Sequence, residues 1–192
     1  MKNKFLFFIF LQSTVTQNLD LPGCVKECLK PLMKIQKTNV DVYFNYDEIC
    51  DRLEPAASCA QKCGHENHVI FHQVTTNFRI HCVDFAEELE DHIECLSRNA
   101  ITAESYCNKD CKIDPTSNNQ VSACKRSECI SVCLVRKLTH SCPRAETVLK
   151  KISVKRAKEL EIAKSHQDFG KLPPECQNLH DPVRVERILE DL

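Results

Sequence analysis

Residues 107–133 read Cys107-Asn-Lys-Asp-Cys111, a segment 112–128, and then Cys129-Ile-Ser-Val-Cys133. In each pair the cysteines stand at i and i+4, one turn apart on one face of a helix. Their Cβ vectors run nearly parallel, so the two thiols of a pair are badly placed to bond each other. They suit two bridges to a neighbouring antiparallel helix, and Asp114-Pro-Thr-Ser-Asn-Asn119 between them has the composition of a loop. The nested solution joins Cys107 to Cys133 and Cys111 to Cys129. The same spacing stands upstream in Cys24-Val-Lys-Glu-Cys28 and Cys59-Ala-Gln-Lys-Cys63, where it predicts Cys24–Cys63 and Cys28–Cys59.

The other six cysteines complete a rhythm of pair, single, pair, single, single. It runs from Cys24 to Cys95 with Cys50 and Cys82, and from Cys107 to Cys176 with Cys124 and Cys142. Seven per half is odd, so at least one bridge must cross between the halves and tie them into one domain if all are oxidised within the chain. Spacing leaves the partners of these six open. Fourteen cysteines in 192 residues are ordinary for a disulfide-stapled secreted protein and unusual inside cells. Aromatic residues are 6% of the chain and tryptophan is absent, so disulfides are expected to supplement a modest core. Glycine is scarce, at three residues, which argues against tight hairpins and dinucleotide loops.

Helix signals recur along the chain. Asn45-Tyr-Asp-Glu48 reads as a capping box opening a helix with Cys50, Cys59 and Cys63, with Pro55 as a kink. Phe71, Val74, Phe78 and Cys82 form an apolar stripe at steps of three and four, and Asp84-Phe-Ala-Glu87 reads as the cap of a helix to about residue 97. A cysteine-rich helix follows residue 119 to about residue 139. Pro143 opens another, with Ala145, Val148, Leu149 and Ile152 on one face. Leu172-Pro-Pro174 breaks the chain, and Asp181-Pro182 opens a last short helix. No segment alternates with period two for long. The expectation is an all-α, disulfide-rich bundle of short helices with a helical C-terminal extension.

At the N-terminus, Met-Lys-Asn-Lys precedes the apolar run Phe5–Leu11 and the small residues Thr14 and Thr16. Residues 1–16 therefore read as a secretory signal peptide, cleaved after Thr16. Residues 17–142 then form a cysteine-rich helical domain and residues 143–192 a basic helical extension. An apolar run of seven residues reaches about 10 Å, too short for a membrane anchor. Residues 17–142 carry 14 basic and 18 acidic groups, whereas residues 143–164 carry 7 basic and 3 acidic. The overall balance points to no nucleic-acid partner.

Three motifs carry side chains capable of chemistry. His65, His68 and His72 have helix-compatible spacing for zinc or copper, yet depart from H-E-x-x-H and are read as exposed histidines, with no metal or cofactor expected. Asp84, Glu87, Glu88, Glu90, Asp91 and Glu94 are read as a solvated face over inward Phe85, Leu89, Ile93 and Leu96. Lys150, Lys151, Lys155, Arg156 and Lys158 are read first as a solvated face. Alternatives are a sulfated glycosaminoglycan site, a dibasic processing site at Lys155-Arg156, or docking on the acidic 84–94 segment. No nucleophile elbow, Walker loop or dinucleotide fingerprint is present, and no catalytic residue is expected.

The cysteine frame resembles the nematode chondroitin proteoglycan 4 domain. The resemblance rests on Cys24-Val-Lys-Glu-Cys28-Leu-Lys-Pro-Leu32, Tyr46-Asp-Glu-Ile-Cys50, Cys59-x3-Cys63, Phe78-Arg-Ile-His-Cys82-Val83, Cys95-Leu96, Cys107-x3-Cys111, Cys124, Cys129-x3-Cys133 and Cys142. It implies a secreted helical domain of extracellular matrix type with no catalytic residues. Chondroitin is attached to serine in Ser-Gly dipeptides, whereas the glycines here follow Pro22, Cys63 and Phe169. Nor is there an Asn-x-Ser/Thr sequon. The expected function is a secreted, non-enzymatic structural or interaction protein whose partners are matrix proteins or glycosaminoglycan. The alternative is an extracellular binding module for glycosaminoglycan or lipid.

Overall fold

The computed structural model describes residues 21–33, 39–112, 120–161, 170 and 172–191. The expected signal peptide and the 114–119 loop lie outside them. Helices α1 (Gly23–Met33), α2 (Asn39–Phe44), α3 (Tyr46–Gln61), α4 (His65–Val74) and α5 (Thr76–Arg79) come first. A π-helical turn (Ile80–Asp84) leads to α6 (Ala86–Glu90), α7 (Ile93–Asp110) and α8 (Gln120–Ser141). A 3-10 turn (Pro143–Ala145) then opens α9 (Glu146–Glu161), followed by α10 (Pro174–Asn178) and α11 (Pro182–Glu190). No strand occurs among the described residues, so the fold is an all-α, disulfide-rich bundle.

All four nested bridges form as expected. Cys24–Cys63 and Cys28–Cys59 staple α1 to the end of α3, and Cys107–Cys133 and Cys111–Cys129 staple α7 to α8. The remaining six pair as Cys50–Cys82, Cys95–Cys142 and Cys124–Cys176, leaving no free thiol.

Two hydrophobic cores lie under this frame. The first packs Val25, Leu29 and Leu32 of α1 against Ile49 and Leu53 of α3, Phe71 of α4 and Phe78 of α5. The second packs Leu89, Leu96, Ala100, Leu134 and Leu138 with Ala145, Val148, Leu149 and Ile152, the face expected to be apolar on α9. Helix α2 sends Val42 into the first core and Val40 and Tyr43 into the second, since residues two apart on a helix point to opposite sides.

The bridge expected to cross between the two sets of seven is present. Cys95–Cys142 does cross the sequence halves, but Cys95 sits on α7 and belongs to the second core's frame. The physical division is six cysteines over residues 24–82 and eight over residues 95–176, and no disulfide joins the two sets. The units are tied by the main chain and by non-covalent contacts.

The local signals had mixed outcomes. Asp181 caps α11 as expected, its Oδ1 accepting from the backbone N–H groups of Val183 (3.0 Å) and Arg184 (3.2 Å). Asp181→Ala is expected to lower stability by about 1 kcal/mol and Asp181→Asn by much less, read from urea unfolding. Asn45, by contrast, makes no cap: its amide donates to the carbonyl of Asp41 at 3.0 Å, because α2 runs almost directly into α3. Asp84 is no cap either, since it ends the π-helical turn, and the helix beyond it breaks at residues 91–92 before α7 continues to Asp110. Helix α3 runs through Pro55. Gly64, at the turn into α4, takes φ 89°, in the left-handed region that favours glycine.

Candidate functional site

The basic stripe on α9 lies against the acidic segment rather than standing free. Lys151 Nζ lies 2.7 Å from Glu88, and Lys155 Nζ is 3.5 Å from Asp84 and 3.0 Å from Glu159. Lys150 pairs with Glu146 one turn earlier at 2.8 Å. Hydrogen bonding to Glu159, reinforced by Asp84, holds the Lys155 ammonium above its ordinary value. Arg156 is only partly exposed, and Lys158 is exposed. Of the four readings of this stripe, the geometry matches docking on the acidic segment.

The Lys155–Asp84 pair joins α9 to the π-helical turn, which gives Ile80 to the second core and Cys82 to the first and so marks the seam between the units. Arg79 of α5 adds a contact to Glu159 at 3.6 Å. Leu89 and Leu96 are buried under the acidic segment, with Phe85 and Ile93 packed against the same core, as the expected solvated face requires. Glu94 pairs with Arg98 on α7.

Beneath the ion pairs lies a polar cluster that the sequence reading missed. His81, in the π-helical turn, is fully buried. Its Nδ1 donates to the carbonyl of Asn77 at 2.7 Å, and its Nε2 has no hydrogen-bond partner. The ring meets Tyr43 of α2 edge-on at 5.3 Å, while Tyr46 donates to the His81 carbonyl at 3.3 Å. Burial pushes the His81 imidazole down to about 4 and the Tyr43 phenol up, and the Arg156 charge acts on both. The missed signal was the stripe itself: after Phe71, Val74 and Phe78 the next step of three falls on His81. A π-helical turn adds a residue to the inward face, so Ile80 and His81 are both fully buried while Cys82 is partly exposed.

The histidine motif separates into two parts. His65 is exposed at the start of α4, whereas His68 and His72, both half-buried, turn their rings together. The sulfur atoms of Cys24, Cys28 and Cys63 cluster within 4.8 Å, but all three are oxidised in disulfides and offer no thiolate to a metal. Among the described residues no helix is long and apolar enough to cross a membrane.

No curated protein and no solved structure matches the chain. A family model does: the one described as chondroitin proteoglycan 4 matches residues 13–162. That span runs past Cys142 through all of α9, so one family pattern covers the first core and all of the second except what α11 adds, Leu189 and Val185. With more than three quarters of its length inside that match, the chain belongs to the chondroitin proteoglycan 4 family.

Proposed function

We propose that this chain is a secreted, non-enzymatic structural or interaction protein of a nematode extracellular matrix, and that it carries no chondroitin of its own. The family match over residues 13–162 carries the reading. Seven disulfides favour an oxidising compartment, and the basic-then-apolar stretch at residues 2–11 supports export. Within these 192 residues no glycine follows a serine, which removes the usual attachment dipeptide.

Secretion of the full chain from cells that make chondroitin tests both halves of the proposal. The expected product enters the medium with Gln17 as its first residue and runs as a sharp band that chondroitinase leaves unchanged. A broad band collapsed by the enzyme would overturn the glycan-free reading, and retention inside the cell would overturn secretion.

Ion pairing of Lys150, Lys151 and Lys155 speaks against a standing glycosaminoglycan site on α9. Each lysine already has a carboxylate within reach, and a sulfate group would have to displace it. The secreted chain is expected to leave a heparin column at low salt. Asp84→Asn with Glu88→Gln should raise retention more than Glu87→Gln with Asp91→Asn, an equal charge change away from the stripe's ion pairs. Equal shifts would mean that retention reads net charge alone.

A further inference from the structure

On α4 the Nε2 atoms of His68 and His72 lie 3.2 Å apart, with ring centroids 4.4 Å apart and planes at 74°. Residues at i and i+4 share a helix face, but their rings converge only when both side chains turn inward to one point, as these do. Zinc–nitrogen bonds of about 2.0–2.1 Å at a tetrahedral angle place two ligating nitrogens about 3.3 Å apart. The pair therefore already holds the separation that a shared cation would impose. Burial, Arg79 and the neighbouring His68 hold the His72 imidazole below its ordinary value, with Glu159 opposing. A neutral ring keeps the lone pair that a metal needs.

The surrounding charges leave room for a cation. Arg79 donates from Nε to the His72 carbonyl at 3.4 Å and lies 3.6 Å from Glu159, so a carboxylate stands beside that guanidinium. Glu159 also holds Lys155. His65, one turn before His68, is exposed, and its ring nitrogens do not gather with those of the pair within 4.8 Å. Two ligands fall short of the four that a closed structural zinc site takes, and the fold has its disulfides for that purpose. We propose that His68 and His72 form a two-histidine chelate for a divalent cation of the zinc type, with its other positions open to water or to an oxygen ligand brought by a partner.

The competing explanation for the short separation is a hydrogen bond between one protonated and one bare Nε2, and zinc distinguishes the two. The disulfide-intact chain, stripped with chelator, is titrated with zinc chloride at about pH 7.5, where unperturbed imidazoles are neutral, and the histidine ring nitrogens are followed by NMR. The His68 and His72 signals are expected to move together and saturate at one zinc per chain. His72→Ala should weaken zinc binding about tenfold or more, with His65→Ala close to the parent. Zinc should also raise the thermal midpoint of the parent chain and not that of His72→Ala. Ring signals unmoved in excess zinc, or an equal loss in His65→Ala, would overturn the proposal.

Discussion

Replacing Cys124 and Cys176 together with alanine is expected to lower the unfolding free energy by about 4 kcal/mol, the largest loss from removing any one bridge. Chain-entropy reasoning ties a disulfide's effect to the loop it closes in the unfolded state. Cys124–Cys176 spans 52 residues, and no other bridge offers a shorter path between its ends. Cys95–Cys142 spans 47 residues but encloses the Cys107–Cys133 bridge. That inner bond shortens the free path between Cys95 and Cys142 to about half, which brings its expected contribution down to about 3 kcal/mol. Both C-terminal anchors also leave buried space, since Cys176 is wholly buried and Cys124 nearly so. Urea unfolding followed by far-ultraviolet circular dichroism measures both variants. A loss below about 1 kcal/mol for the Cys124/Cys176 variant would show that packing of α10 on α8 and α11 on α9, with Arg184 paired to Glu128 at 2.9 Å, holds the C-terminus without the bond.

The contrast between these two bridges marks the limit of what spacing reveals. The nested pairs were legible because a C-x3-C pair places two thiols on one helix face, and an antiparallel partner with the same spacing is then the natural match. Single cysteines carry no such geometry, so Cys50, Cys82, Cys95, Cys124, Cys142 and Cys176 found partners only through tertiary packing. The boundary between the units escaped for the same reason. A cysteine count put Cys95 in the first half, while the helix bearing it packs in the second core. Charge periodicity was legible on α9, but what faced it was one alternative among four until Glu88 and Asp84 were placed opposite Lys151 and Lys155. The capping rule succeeded at Asp181, where a true chain break precedes the helix. It failed at Asn45, where helix lies on both sides and the amide reaches back to Asp41 instead.

Acid is expected to loosen the protein at the seam, through His81. In the folded chain burial lowers this imidazole from 6.5 to about 4, whereas the unfolded chain leaves it at its ordinary value. The charged groups around it add no carboxylate to offset that: Arg156 on α9 lowers the imidazole further, Tyr43 on α2 presents a neutral phenol, and the hydrogen bond to Asn77 only partly opposes the shift. As pH falls below about 6.5 the unfolded state binds a proton that the folded state refuses until about 4. Stability therefore declines across that window and is full above it. The gap between those two values corresponds to about 3 kcal/mol. Parent and His81→Gln chains, compared by urea unfolding between pH 7 and pH 4, separate this group from the carboxylates that titrate in the same range. The variant is expected to be less stable at neutral pH, having lost a packed ring, and to show the flatter profile. Parallel profiles would mean that His81 takes up its proton in the folded state without penalty, most directly through a water reaching its unpaired Nε2. A steeper parent slope would matter beyond this one side chain. His81 contacts Tyr43 and feels Arg156 of α9, and although Cys50–Cys82 staples its turn to α3, no disulfide joins that turn to α2 or α9, so the group most opposed to charging sits where packing alone holds those helices against it.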